Sequence, residues 1–254
     1  KSAHFYIDLT KVMSDKKPEK IAVILPTYNE EANIGNIIRD IASALPAAYI
    51  LVVDDNSPDG TADTVRILIA RYSNLSLLER PFKTGLGDAY KDAIKRVLGD
   101  KSVGIVITMD ADGSHQPKYL KNLLDNVPNH DLVIGSRYIA GGGVENWQFW
   151  RKLLSRFGNL YARLLIGMKI NDSTAGFLCI RRGLLEKINF DEINSHGYAY
   201  LMEFKFYCVS KLGARVKEVP IIFTERAGGK SKMSGRIIIE GIKTPLKIFL
   251  KKFF

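Results

Sequence analysis

The feature that most constrains this chain is an apolar, β-branched run that ends in two carboxylates. Residues 103–109 read VGIVITM, and Asp110 and Asp112 follow directly. Such a run is typical of a buried strand in a parallel sheet. Because successive side chains of an extended segment point to opposite sides, the two carboxylates are expected on one side of the chain. They could hold Mg²⁺ or Mn²⁺ beside phosphate oxygens, or form an acidic turn that caps the next helix.

The same kind of run recurs along the chain and predicts an α/β fold. Apolar runs that resemble buried strands alternate with amphipathic helical patterns, at residues 21–25, 50–53, 103–109 and 132–134. This alternation favours right-handed βαβ units in a mostly parallel, Rossmann-like sheet flanked by helices. Since ligands of such sheets bind beyond the carboxyl ends of the strands, the polar clusters after the first three runs are expected to form one site.

The chain shows no internal repeat or linker, so we expect a single domain over residues 20–235. Residues 1–19 are expected to be an appendage, and residues 236–254 a basic amphipathic segment. Further strands are predicted at 174–180 and 216–223, and helices at 117–127, 151–165 and 198–212.

The net charge favours a partner that carries phosphates. The chain has 37 Lys and Arg against 27 Asp and Glu, which gives +10. Such a balance is compatible with nucleic acid, an anionic membrane or a phosphorylated substrate. Nucleic acid is disfavoured because the basic residues are not interleaved with a stacking aromatic platform, and acidic strand ends would repel a phosphate backbone. No apolar run reaches 18 residues, so we expect no bilayer span.

Seven segments together resemble the family 2 glycosyltransferases, and within them the polyprenol-phosphate (dolichol-phosphate) mannose synthases. They are PTYNE at 26–30, VDDNSPDGT at 53–61, MDADGSH at 109–115, GSRY at 135–138, GGG at 141–143, TAGF at 174–177 and FTERAGGKSKM at 223–233. The resemblance implies a GT-A type fold and a metal-dependent, inverting transfer of mannose from GDP-mannose to a polyprenyl or dolichyl monophosphate. The residues themselves do not distinguish guanine from uracil, so a UDP-sugar donor, such as one for glucose transfer, remains an alternative.

The resemblance also implies particular site residues. Donor contacts fall on Pro26, Tyr28, Glu30, Val53, Asp55, Asp110, Ala111 and Asp112, with phosphate contacts at Arg137, Arg226 and Lys232. Asp110 and Asp112 are expected to ligate Mg²⁺ or Mn²⁺, and Asp112 and Arg137 to be catalytic. Some members have a glutamine ligand where this chain has Ser114, a weaker donor. A role for the basic residues as ordinary surface charge is the alternative.

The C-terminal segment has the pattern of an interfacial helix. Ile242, Leu246 and Phe249 recur at three to four residues beside Lys243 and Lys247, which suits a membrane surface. Thr244 followed by proline predicts that a helix restarts there. We therefore expect a peripheral protein on the cytoplasmic face of a membrane, or the soluble part of a longer membrane protein. A membrane-anchoring subunit is a possible partner. Packing on the domain is the alternative.

Overall fold

The computed structural model describes residues 19–225 and 235–250, which form a seven-stranded sheet, a two-stranded sheet and their helices. The strands are β1 (Lys20–Thr27), β2 (Tyr49–Asp54), β3 (Leu75–Glu79), β4 (Val103–Thr108), β5 (Leu132–Ser136), β6 (Gly143–Val144), β7 (Leu178–Arg181), β8 (Val216–Pro220) and β9 (Ile222–Phe223). The α-helices are α1 (Glu31–Ala44), α2 (Thr61–Ile69), α3 (Leu86–Leu98), α4 (Leu120–Asn126), α5 (Phe149–Ile166), α6 (Arg182–Leu185), α7 (Ala199–Phe206) and α8 (Gly235–Leu250).

The large sheet has the order β3-β2-β1-β4-β7-β5-β8 and is mostly parallel. Only β7 runs against its neighbours, β4 and β5. The small sheet pairs β6 with β9. The predicted α/β class with a mostly parallel sheet and flanking helices is therefore confirmed.

Two apolar cores cover the two faces of the sheet. Alternate residues of β1 enter different cores: Ile24 faces α3 and α7, whereas Val23 and Leu25 face α1 and α2. The predicted inner face of α1 is buried through Ile34, Ile37, Ile38 and Ile41. Burying such a side chain contributes about 1.5–3 kcal/mol relative to leaving it exposed. These contacts hold the strand ends at fixed relative positions.

Several predicted boundaries were wrong. The strand expected at 174–180 is only Leu178–Arg181, because the residues before it form a turn that bonds to α5 and α7. The strand expected at 216–223 is divided at Ile221 between the two sheets. The helix expected at 198–212 ends as α7 at Phe206 and continues as a π-helical turn, Tyr207–Lys211.

The C-terminal helix does not restart at Thr244. α8 runs without interruption from Gly235 to Leu250, with Pro245 inside it. Thr244, Pro245 and Ile248 are buried, and α8 lies against α5 and α7. Within residues 19–225 and 235–250, no helix combines the length and the apolar character needed to cross a bilayer.

Gly142 offers a test of how tightly the glycine segment after β5 is held. A Cβ on Gly142 would lie 2.6 Å from the carbonyl oxygen of Ser136, whereas one on Gly158 of α5 meets nothing within 4 Å. We expect Gly142→Ala to lower the free energy of unfolding by about 1–3 kcal/mol, since backbone must move.

The matched control is Gly158→Ala, which should be neutral or stabilise by up to about 1 kcal/mol through helix propensity. Urea denaturation measures both. Equal stability of the two variants would show that this segment is not constrained as described.

Candidate active site

The carboxyl ends of β1, β2 and β4 open into one cavity of about 450 Å³. Parallel pairing sets Thr27 beside Asp54, and Ile24 beside Thr108, so the residues after these strands share an edge of the sheet. The described residues lining the cavity are Pro26, Thr27, Tyr28, Glu30, Asp55, Lys83, Thr84, Gly85, Leu86, Ala89, Asp110, Ala111, Asp112, His196, Gly197, Tyr198 and Glu240. The expected convergence of three acidic strand ends is therefore present in the structure.

The two adjacent aspartates after β2 have different environments. Asp54 accepts hydrogen bonds from the Thr27 hydroxyl at 2.9 Å and the Ser57 backbone N–H at 2.8 Å. Asp55 instead lines the cavity and pairs with Arg80. Val53 is fully buried and does not line the cavity. Of the donor contacts expected after β2, Asp55 alone presents its side chain to the space.

The segment after β1 supplies an aromatic face and a carboxylate. The ammonium of Lys83 lies 3.4 Å from the centroid of the Tyr28 ring, a cation–π contact. Glu30 accepts a 2.9 Å hydrogen bond from the Asn33 amide, and its backbone N–H donates to the Thr61 hydroxyl at 3.0 Å. These bonds fix the start of α1 beneath the cavity, with both side chains at its wall.

Asp110 and Asp112 both line the cavity, and a buried histidine shapes the turn that carries them. The backbone N–H of Asp110 donates to His115 Nδ1 at 2.8 Å, so this nitrogen is unprotonated. Burial lowers the pKa of His115, although the nearby carboxylates oppose this. His115 stacks on Phe177 with ring centroids 5.0 Å apart. These contacts give His115 a structural role in the turn.

Ser114 lies behind the cavity wall and donates hydrogen bonds to Asp112. The Ser114 backbone N–H donates to Asp112 Oδ1 at 3.1 Å, and its hydroxyl donates to the same oxygen. Ser114 is fully buried and does not line the cavity. Its predicted role as a metal ligand stays a prediction, and the contact seen here orients the Asp112 carboxylate.

The acid pair suits a hard divalent cation that takes its remaining ligands from phosphate and water. Carboxylate oxygens are the donors that Mg²⁺ and Mn²⁺ prefer, and the Asp110 side chain is 30% exposed to the cavity. In the described part of the chain, no cluster of three or more His, Cys, Asp or Glu side chains could enclose a metal. Asp110 and Asp112 would therefore hold such an ion incompletely, which leaves room for a diphosphate.

Arg137 lies outside this cavity and is held in a buried ion pair. Its guanidinium donates to both oxygens of Asp172 at 2.7 Å and to the Thr174 hydroxyl at 2.7 Å, and its backbone N–H donates to Asp172 at 3.0 Å. Burial opposes the charges, but the pairing outweighs it, raising the pKa of Arg137 and lowering that of Asp172. The alternative of ordinary surface charge does not fit an arginine that is 8% exposed.

The segment that carries Asp172 is itself anchored by hydrogen bonds with two side chains. Glu218 of β8 accepts from the backbone N–H groups of Asn171 and Asp172 at 2.9 and 3.0 Å. The buried Nζ of Lys205, whose pKa is lowered by burial to about 7, donates to the carbonyls of Ser173 and Ala175 at 3.0 and 2.6 Å. These bonds fix the Arg137–Asp172 pair against α7 and β8.

A basic aromatic cluster adjoins Arg137. The Arg137 guanidinium lies 5.3 Å from the Phe223 ring centroid, and that of Arg151 lies 4.0 Å from the Trp147 ring centroid. The buried nitrogens Trp147 Nε1 and Arg151 Nε have no hydrogen-bond partner among the described residues. The Trp147 N–H and the Arg151 Nε–H, beside the Arg137 guanidinium, are suited to bind an anion.

Sequence reasoning missed several wall residues. Lys83 and Thr84 lie in the segment after β3, which was not assigned to the site, and His196, Gly197, Tyr198 and Glu240 come from distant segments. Arg151 was placed only in a basic helix. The predicted Arg226 and Lys232 lie outside the described residues.

Comparison with known proteins identifies the family. The family model described as glycosyl transferase family 2 matches residues 22–189. The chain belongs to glycosyl transferase family 2. It is 41% identical over 223 residues to the undecaprenyl-phosphate mannosyltransferase of Micrococcus luteus, covering 88% of this chain and 91% of that protein. It is 42% identical over 226 residues to the polyprenol monophosphomannose synthase of Mycolicibacterium smegmatis, covering 88% and 84%.

Solved structures of this glycosyltransferase fold confirm the GT-A expectation. Glucosyl-3-phosphoglycerate synthase from Mycobacterium tuberculosis, in complex with Mn²⁺, UDP and glucosyl-3-phosphoglycerate, superposes with a TM-score of 0.67 at 21% identity. The match covers 91% of this chain and 80% of that one. Another complex of that synthase contains Mg²⁺ and UDP. At this identity the likeness establishes the fold alone.

Ser114 gives a test of how the acid pair is oriented. In Ser114→Ala, Asp112 loses a hydrogen bond, so we expect the apparent affinity for Mn²⁺ to fall about tenfold. This affinity is measured as the dependence of the glycosyl transfer rate on the Mn²⁺ concentration. The matched control is Ser102→Ala, since Ser102 makes the same pair of bonds to Asp100 in an exposed turn. The metal titration of that control should match the unsubstituted protein, and the same result for Ser114→Ala would contradict the orienting role.

Proposed function

We propose that this protein transfers mannose from GDP-mannose to a polyprenyl monophosphate, giving polyprenyl-phosphate-mannose and GDP. The observation that carries the proposal is the combination of an acid pair at a nucleotide-sized cavity with relatives at 41–42% identity that are named for this type of transfer. Asp55, Tyr28 and Glu30 would contact the nucleoside, and Asp110 and Asp112 would face the diphosphate.

The reaction needs no strong base in this proposal. A phosphate monoester has a second pKa of about 6, so the acceptor is largely dianionic at neutral pH. An acceptor oxygen bonds to the anomeric carbon as the bond from that carbon to the diphosphate oxygen breaks, and the configuration inverts. A Mg²⁺ or Mn²⁺ ion would neutralise charge on the leaving diphosphate. The remaining task of the protein is to position and stabilise charge.

The acceptor phosphate is best accommodated beside Arg137. The N–H groups of Trp147 and Arg151, which have no partner in the described part of the chain, lie in the same cluster. The Asp172 pair fixes the Arg137 guanidinium. Arg137 then acts through a rigid positive charge rather than a mobile one. Arg226 and Lys232 are proposed as further phosphate contacts on the basis of the family resemblance.

A panel assay tests the reaction. The protein is incubated with Mg²⁺ or Mn²⁺, a polyprenyl phosphate and labelled GDP-mannose, UDP-glucose or other nucleotide sugars, and label entering the organic phase is counted. We expect the mannose label from GDP-mannose alone. Transfer from UDP-glucose instead would establish the alternative donor. If no donor gives a lipid-linked label, the proposal is refuted.

Asp112→Ala tests the role of the acid pair. Losing a carboxylate that faces the diphosphate should lower kcat at least about 100-fold, since metal stabilisation of the developing charge contributes several kcal/mol. The control is Asp100→Ala at the opposite end of β4, where the carboxylate bonds Lys20 and Ser102. Near-normal turnover by Asp112→Ala with metal present would overturn the assignment.

We further propose that α5 and α8 dock on an anionic membrane surface, where a lipid acceptor resides. Their exposed apolar side chains are Phe149, Trp150, Leu153, Leu154, Phe157, Leu160, Tyr161, Leu164, Ile239, Ile242, Leu246 and Leu250. The two helices contact each other, and the Tyr161 hydroxyl donates to the Ile242 carbonyl at 3.3 Å. The exposed residues Arg156, Arg163, Lys243 and Lys247 lie among the apolar ones, and each basic group adds about 1 kcal/mol near such a surface.

A substitution pair tests this surface. Ile242 and Ile67 are 55% and 66% exposed, on α8 and α2 respectively. We expect Ile242→Glu to weaken sedimentation with vesicles containing phosphatidylglycerol, because it adds a negative charge to the proposed docking face. Ile67→Glu makes the same change away from that face and should sediment like the unsubstituted protein. Equal loss in both variants, or in neither, would refute the docking surface.

A further inference from the structure

Arg80 connects three elements around the cavity without lining it. It follows β3, is 9% exposed, and is not among the described wall residues. Its Nε donates to Asp92 of α3 at 2.8 Å, one terminal nitrogen donates to Asp55, and the other donates to the Thr84 hydroxyl at 2.7 Å. Its backbone N–H donates to the Asp54 carbonyl at 2.8 Å. Each of the three guanidinium nitrogens thus donates to a different side chain.

Two of these partners form the cavity wall. Asp55 and Thr84 both line the cavity, and Lys83, next to Thr84, lies over the Tyr28 ring. The backbone at Gly85 packs closely against His196, because a Cβ at position 85 would lie 2.3 Å from the His196 carbonyl oxygen. Arg80 therefore fixes both the acidic side and the basic side of one end of the cavity.

We propose that Arg80 is a positioning residue for nucleobase recognition, which holds the Asp55 carboxylate in one orientation, aimed at ring N–H donors of the bound nucleotide. The inference rests on the proposed function, because it takes the cavity as the nucleotide site. A fixed carboxylate accepts from the N–H edge of guanine or uracil, and an arginine fork gives it one orientation. Arg80 does not touch the base and acts through Asp55 and Thr84.

The charge environment of Asp55 supports this role. Burial raises the pKa of Asp55, and the hydrogen bond and charge of Arg80 oppose that rise. The other charged groups facing Asp55 are Asp54, which raises its pKa, and Lys83, which lowers it. Without Arg80, the Asp55 pKa rises further, so its carboxylate is lost at higher pH. Base binding would then weaken as the pH falls.

The test compares Arg80→Met and Arg80→Lys with the unsubstituted protein. We expect Arg80→Met to raise the GDP dissociation constant, measured by calorimetry with Mn²⁺, and the donor KM at least about tenfold. The values of kcat and the polyprenyl phosphate KM should change less than about threefold, since the reacting end is distant from the base. Arg80→Lys keeps the charge and should recover part of the affinity. GDP binding by Arg80→Met should also weaken between neutral and mildly acidic pH more than that of the unsubstituted protein.

Two controls separate positioning from general stability. Arg66→Met removes an arginine that also pairs with two acids, Asp63 and Glu79, but on the exposed surface, and should leave GDP affinity unchanged. Asp55→Asn combined with Arg80→Met should bind no more weakly than Asp55→Asn alone, because both changes remove one interaction.

Other results would overturn the inference. Unchanged GDP affinity in Arg80→Met, a fall in kcat matched by a rise in both KM values, or full additivity with Asp55→Asn would each do so. If Arg80→Met does not fold, Thr84→Val and Arg80→Lys carry the same comparison. If the unsubstituted protein binds UDP and not GDP, the proposed donor is wrong, and the Arg80 series measured with UDP still decides the role of Arg80. Binding of neither nucleotide would reject both proposals.

Discussion

Parallel hydrogen bonding among β1, β2 and β4 is the constraint on which the rest of the structure depends. The register places Pro26 beside Val53 and Ile24 beside Thr108, so the residues that follow each strand meet at one edge. Because of this register, acidic loops from separate segments of the chain line one cavity. Buried isoleucines and valines on both faces of the sheet hold this register, and a slip by one residue would exchange the two faces. The polar site is thus a consequence of apolar packing.

The second constraint is the network of side chains around a buried ion pair beyond β4. Arg137 and Asp172 pair inside the protein, and Glu218 and Lys205 hold the backbone on either side of Asp172. Removing one partner of such a network leaves another charge buried and costs far more than an exposed pair would. The arrangement is therefore rigid, and it sets Arg137 at a fixed position beside Trp147 and Phe223. A charge that is already held in place does not have to rearrange when charge develops during a reaction.

Local pattern was sufficient for part of this architecture. The apolar runs gave β1, β2, β4 and β5 because buried strands need continuous apolar side chains, and the acids after them mark the edge at which ligands bind. The pattern failed where long-range partners decide the structure. Thr174 and Ala175 look β-prone, yet the Thr174 hydroxyl accepts from Arg137 and Asn159. The Ala175 carbonyl accepts from Lys205 rather than from a neighbouring strand. Arg80 and Glu240 could not be assigned to the cavity from sequence, since their positions follow from tertiary contacts alone.

The reversed direction of β7 has a consequence for where the chain can accept extra residues. Because β7 runs against β4, the residues before it reach the reacting edge, where the Thr108 hydroxyl bonds the Gly176 carbonyl at 2.7 Å. The residues after it emerge at the other rim, where Arg182 bonds the carbonyls of Leu98 and Asp100. A reporter peptide or fluorophore grafted just beyond α6 would thus be remote from the substrates, whereas the same graft ahead of β7 would obstruct them.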